Sequence, residues 1–151
     1  MDCPSPAIED FLSAKRIAFV GVSREPRDFS RQLMRALVDR LYDVVPVNPR
    51  GGEIDGRPCA ARVQDIQPPV EAALIMTPPA VTAQVVRDCF AAGIRRVWMH
   101  RGAGRGASSP EAAEFCRRND MQVVAGECPF MFLPGAGWFH RVHRFFRRLG
   151  R

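Results

Sequence analysis

The chain has 151 residues, 46% of them hydrophobic and 25% charged, the balance of one soluble globular domain large enough to bury a core. No apolar run approaches the roughly 20 residues needed to cross a membrane, and Met1-Asp2-Cys3-Pro4 opens no signal-peptide core, so the default location is cytoplasmic. The formal net charge of +6 belongs mostly to residues 138–151, which hold Arg141, Arg144, Arg147, Arg148 and Arg151 and no acid; the rest carries only +1, which argues against a nucleic-acid partner.

A short helix is expected over 7–15, where Ile8, Phe11 and Leu12 share a face. The apolar run 16–21 reads as a strand ending at Gly21. The loop 22–29 contains Pro26, which disfavours helix in the residue before it. Ser30 is the expected N-cap of a helix over 31–41, with Leu33, Met34, Leu37, Val38 and Leu41 on its inner side. A strand over 43–47 follows, and Asn48-Pro49 with Gly51-Gly52 mark the loop after it. Residues 62–66 suggest a helical turn. A strand over 71–76 is closed by Thr77-Pro78-Pro79. The helix expected over 80–92 should turn Val81, Val85, Cys89 and Phe90 inward before Gly93 stops it. A strand over 95–99, a Gly/Arg-rich loop over 100–106, a helix over 110–119 and a strand over 121–125 complete the alternation.

Strands alternating with helices predict an α/β domain, a doubly wound parallel sheet of about five strands covered on both faces. Ligands of such sheets collect at the carboxyl ends of the strands, near the reversal in strand order. That rule puts Gly21-Val22-Ser23, Asn48-Pro49-Arg50, Thr77-Pro78-Pro79, His100-Arg101-Gly102 and Glu127-Cys128-Pro129 on one edge.

The turn after the first strand departs from the dinucleotide fingerprint G-x-G-x-x-G. It reads Gly21-Val22-Ser23-Arg24-Glu25-Pro26, with only the first glycine in place and a longer run to the helix. A longer loop leaves room for bulky phosphate, the helix start offers free N–H groups, and Arg24, Arg27 and Arg31 add positive charge. The second strand ends in Asn48-Pro49-Arg50 and lacks the acid that holds the ribose hydroxyls of NAD. Without that carboxylate a ribose phosphate is not repelled, and Arg50 would attract one. NADP and coenzyme A (CoA) both carry such a phosphate, so the pattern disfavours NAD.

The cysteines, Cys3, Cys59, Cys89, Cys116 and Cys128, form no C-x-x-C pair and no zinc spacing with a histidine. Free thiols are expected, with Cys89 and Cys116 packed as small apolar residues.

Several stretches taken together are similar to the small, single-domain CoA-binding proteins of bacteria and archaea. They are Val20-Gly21-Val22-Ser23-Arg24 with Pro26, Val45-Pro46-Val47-Asn48-Pro49 with Glu53-Ile54-Asp55-Gly56, Met76-Thr77-Pro78-Pro79, Val97-Trp98-Met99, and Val123-Val124-Ala125-Gly126-Glu127-Cys128-Pro129. The similarity covers about residues 12–133 and implies a Rossmann-like domain resembling the CoA-binding N-terminal domain of the succinyl-CoA synthetase alpha subunit. By this resemblance Gly21, Val22 and Ser23 line the nucleotide phosphates, and Ser30 holds a phosphate at the helix start. Asn48 and Pro49 border the adenosine end, and Thr77 and Pro78 border the pyrophosphate. Two departures from the family pattern stand out: His100 replaces the usual Gln after Trp-Met, and the loop 101–109 is longer and richer in Gly and Arg.

The resemblance implies a CoA or acyl-CoA binding module rather than an enzyme, because the related ligase needs a second domain with a phosphorylatable histidine. His100 is a polar lip residue in this reading, with a general base as the alternative. Glu127 next to Cys128 disfavours thiolate, but Cys128 is placed near the coenzyme, able to form a mixed disulfide with its thiol. The domain is expected over 1–137. Residues 138–151, with Trp138, Phe139, Val142, Phe145, Phe146 and Leu149 at helical spacing and arginines opposite, form a basic amphipathic helix. That helix is read as packing on the domain, with a membrane surface or an acidic partner as the alternative, and an exposed apolar helix would allow a homodimer. Two rival functions remain: an NADP-dependent oxidoreductase or redox sensor, and a protein-interaction module on a degenerate nucleotide-binding fold.

Overall fold

Five short strands make one parallel sheet in this computed structural model, which describes residues 4–101 and 106–133. They are β1 (Arg16–Val20), β2 (Asp43–Val47), β5 (Ala72–Ile75), β6 (Arg96–His100) and β7 (Gln122–Glu127), in the spatial order β2-β1-β5-β6-β7. Between β2 and β5 lies a small antiparallel hairpin, β3 (Glu53–Ile54) and β4 (Arg57–Pro58). The strand order reverses between β1 and β5, which makes the carboxyl end of that pair the switch point.

The helices are α1 (Pro6–Leu12), α2 (Phe29–Asp39), α3 (Pro79–Ala91) and α4 (Pro110–Arg118). Alternation along the strands sorts them onto two faces. Ile17, Phe19, Leu74 and Trp98 pack under α1 and α2, against Phe11, Leu33, Met34 and Leu37. Ala18, Ala73, Ile75, Val97 and Met99 pack under α3 and α4, against Val86, Cys89, Ala112 and Cys116. Cys89 and Cys116 are core residues, as the helical pattern required. Each large apolar side chain fully buried this way contributes about 1.5–3 kcal/mol, and the central strands β1 and β5 are apolar on both faces for that reason.

The fold class and all five sheet strands agree with the sequence reading; the differences are local. Asp28, not Ser30, caps α2: its carboxylate accepts from the Ser30 N–H at 2.8 Å, and the helix starts at Phe29. The acid of the loop is the stronger acceptor there, so it takes the capping role. Leu41 does not join the inner face of α2; it lies beyond the helix at φ 70° and is 92% exposed. In α3 the inner face is Thr82, Ala83, Val86 and Cys89, and Val81 is 47% exposed. Starting at Pro79 rotates the helix so that the Thr82 hydroxyl meets the Thr77 hydroxyl at 2.9 Å. Strand β7 runs on to Glu127 through a bulge, where Gly126 (φ 81°) is the extra residue and Glu127 pairs with His100. Among the described residues no helix is long and apolar enough to cross a membrane. The expected helix at 138–151 lies outside the described residues.

Candidate functional site

At the switch point the chain needs glycine. Gly21 has φ +89°, and a Cβ there would lie 2.9 Å from the carbonyl carbon and oxygen of Met76 and 3.0 Å from the Thr77 nitrogen. Both the left-handed backbone and the close approach exclude a side chain. The Gly21 N–H donates to the Val47 carbonyl at 3.1 Å, so one residue ties the ends of β1, β2 and β5 together.

An open groove of about 430 Å3 lies on this edge, lined by Gly21, Val22, Ser23, Arg24, Asn48, Pro49 and Arg50. All seven were singled out from the sequence, and the fold brings them to one place. The volume falls within the roughly 300–1,000 Å3 of small-molecule sites. Thr77 and Pro78 follow β5 directly beside Gly21, with Pro78 exposed.

Asn48 explains why the acid of NAD sites is missing here. Its Nδ2 donates to the Val22 carbonyl at 3.0 Å, while its Oδ1 accepts the Arg50 N–H at 3.0 Å. An amide can do both; an ionised aspartate accepts but cannot donate. Its backbone N–H donates to the Ala60 carbonyl at 3.0 Å and its carbonyl accepts from Gly51 at 2.8 Å. The residue thus locks the loop after β2 to the loop after β1. Pro49 and Arg50 are carried outward by this turn and are both exposed.

The loop after β1 is held from behind. The Ser30 hydroxyl, 3% exposed as a residue, accepts from the Ser23 N–H at 2.9 Å and meets the Asp28 carboxylate at 2.6 Å. Ser30 therefore stands under the loop, its hydroxyl engaged by chain groups. Arg24 reaches across the groove and donates to the Gly51 carbonyl, while its Nε is buried without a partner among the described residues. Arg31 departs from the expectation that it adds free positive charge. It is buried at 6%, paired with Asp55 of the β3–β4 turn, and bonded to the carbonyls of Ser23 (3.3 Å) and Arg24 (3.1 Å). Arg35 also bonds Asp55, at 3.1 Å. The Arg31 hydrogen bond, helped by Arg35, holds the Asp55 carboxyl below the usual carboxylate range despite some desolvation. The sequence does not single out Asp55, Arg35 or Gly51; the only signal is an acid before Gly56 and arginines four apart in α2, earlier in the chain.

His100 and Cys128 lie in a different setting. His100 is 6% exposed, its ring 5.6 Å from that of Phe29, so it is packed under the edge and is not an exposed lip residue. Cys128 is 1% exposed within the α1–α2 core. Burial above all, with Glu127 adding to it, pushes its thiol up to about 12. The expected role of Cys128 beside the coenzyme thiol therefore meets a buried, protonated sulfur. Cys59 is half-buried beside Asn48 and Arg24, and burial raises its thiol too. Among the described residues no group of His, Cys, Asp or Glu is assembled to hold a metal.

A doubly wound parallel sheet with a glycine turn after its first strand and a groove at the switch point is the arrangement of Rossmann-like nucleotide-binding domains. This chain belongs to the CoA binding domain family, which matches residues 15–134. It is 25% identical over 118 residues to the ADP-forming acetate–CoA ligase of Methanocaldococcus jannaschii, covering 76% of this chain but 17% of the ligase. It is 26% identical over 130 residues to the uncharacterized protein YneT of Bacillus subtilis, covering 85% of this chain and 93% of YneT. A solved structure of a hypothetical protein from Pyrococcus horikoshii OT3 superposes with a TM-score of 0.73 at 28% identity, over 85% of this chain and 93% of that one.

Proposed function

We propose that this chain binds coenzyme A or an acyl-CoA along the carboxyl edge of its sheet and acts as a binding module, carrier or sensor rather than as a catalyst. The observation that carries this is the Asn48 crosslink. It puts an uncharged amide where an NAD site keeps its acid and directs the turn to exposed Arg50, which leaves the adenosine end of the groove open to a ribose phosphate. Gly21 leaves the backbone bare at the switch point, where a pyrophosphate would approach, and Arg24 flanks it. The packed positions of His100 and Cys128 fit a reading without covalent chemistry at these residues.

Calorimetric titration with CoA, 3′-dephospho-CoA, NADP and NAD tests this reading. Binding of CoA that weakens on loss of the 3′-phosphate is the expected result. Preference for NADP would favour the oxidoreductase or redox-sensor alternative, and no binding of any of the four would favour the interaction module.

A further inference from the structure

The hairpin β3–β4 contributes no residue to the lining of the groove, yet its turn residue Asp55 stands behind the loop that forms one wall. Arg31 uses its guanidinium on Asp55 and on the carbonyls of Ser23 and Arg24. Arg35 bonds both oxygens of the same carboxylate, at 3.1 and 3.3 Å, and the Pro26 carbonyl at 3.1 Å. One carboxylate thus aligns two arginines that grip three loop carbonyls. In a planar trans peptide the N–H points opposite to the C=O. Holding the Ser23 carbonyl on Arg31 therefore turns the Arg24 N–H away from the guanidinium, and Ser23 and Arg24 are both groove residues.

We infer that Asp55 is a positioning residue for the phosphate groups of the ligand: through Arg31 and Arg35 it fixes the 23–26 backbone so that the Arg24 N–H faces an anion. The inference rests on the CoA reading for the identity of the ligand, but not for the order of the loop. It carries an unusual sign. Removing a nearby carboxylate makes the region more positive, and charge alone would then strengthen binding of an anion. Loss of the grip weakens it.

The test uses the full chain with Asp55→Asn and, as a milder change, Arg35→Gln, with circular dichroism confirming the fold. Hydrogen exchange without ligand should show the amides of Ser23 and Glu25, which donate to Ser30 and Ser23 hydroxyls, exchanging at least about tenfold faster in Asp55→Asn, while α3 is unchanged. Titration with CoA should show at least about tenfold weaker binding for Asp55→Asn and a smaller loss for Arg35→Gln. Unchanged loop exchange, or CoA binding as tight as or tighter than in the wild type, overturns the positioning role. If Asp55→Asn does not fold, Arg35→Gln decides by the same two measurements. Failure of the wild-type chain to bind CoA refutes the proposed function and leaves the exchange measurement to judge Asp55.

Discussion

The two halves of the carboxyl edge carry polar residues of similar promise in the sequence, but they are built differently. On the β1–β2 side, Asn48, Arg24, Arg31 and Ser30 spend their side chains on backbone groups and acids of the neighbouring loops, leaving an open groove between them. On the β6–β7 side, the Trp98 indole N–H donates to the Glu127 carbonyl at 3.0 Å, and His100 and Cys128 sink among Phe29, Phe130 and the core. The first arrangement fixes a backbone around a space. Among the described residues, the second is packed with side chains. Polar residues that hold a loop open mark the groove, and chemically reactive residue types at a strand end do not by themselves mark one.

The sharpest way to break the contrast is Gly21→Val. The new Cβ would meet Met76 backbone atoms at 2.9 Å, and the φ of +89° is unfavourable to any side chain. The left-handed conformation alone costs roughly 1–2 kcal/mol, and a branched residue against fixed backbone adds to it. The expected outcome is a lowered Tm with ligand binding lost, measured by calorimetry and by titration with CoA. Binding that survives at wild-type strength would move the site away from the switch point.

Next in size is the pair Asn48→Asp and Arg50→Gln. Asn48→Asp deletes the donor to the Val22 carbonyl and places a negative charge beside the proposed ribose phosphate. CoA affinity should fall by about tenfold or more, since a lost hydrogen bond and a new like charge each contribute on the order of 1 kcal/mol, with NAD weakened less or not at all. Arg50 is exposed, so its replacement should cost CoA only about threefold to fivefold and should leave 3′-dephospho-CoA unaffected. Equal losses for both ligands would show that Arg50 does not face the 3′-phosphate.

The strand count, the parallel topology and the groove lining were legible because each rests on a local pattern: apolar runs of strand length, a glycine turn, and a missing acid at a defined strand end. What the sequence hid depends on distances across the fold. Asp55 becomes a partner of Arg31 only when a two-residue hairpin folds back over the start of α2, and no periodicity announces that. Ser30 looked like the cap because serine is a good one, but Asp28 lies two residues earlier with a stronger acceptor. The sequence puts His100 and Cys128 at the ends of their strands but does not show their depth, which comes from Phe29 against the His100 ring and from the core that Cys128 shares with Phe130.

The smallest effect on binding is expected at Cys128, and it separates the two halves of the edge by a different observable. Cys128→Ala should leave CoA affinity unchanged, and mass spectrometry after native incubation with oxidised CoA should show no adduct at this residue. Its influence lies in alkaline stability. The folded thiol titrates at about 12 against an ordinary value of 9.0. Below pH 9 the thiol is protonated in both states and its contribution is fully present; as pH rises from 9 toward 12 only the unfolded chain releases the proton, and stability falls. Each thiol contributes a slope of about 1.4 kcal/mol per pH unit in that window. Cys89, also at about 12, and Cys116, at about 11, add to it in the same direction. Denaturant unfolding from pH 8 to 10.5 should therefore show a falling midpoint, shallower in Cys128→Ala by one thiol's share, while the same substitution leaves the groove as it was. An unchanged slope would mean that Cys128 is open to solvent, and would restore it as a candidate partner for the coenzyme thiol.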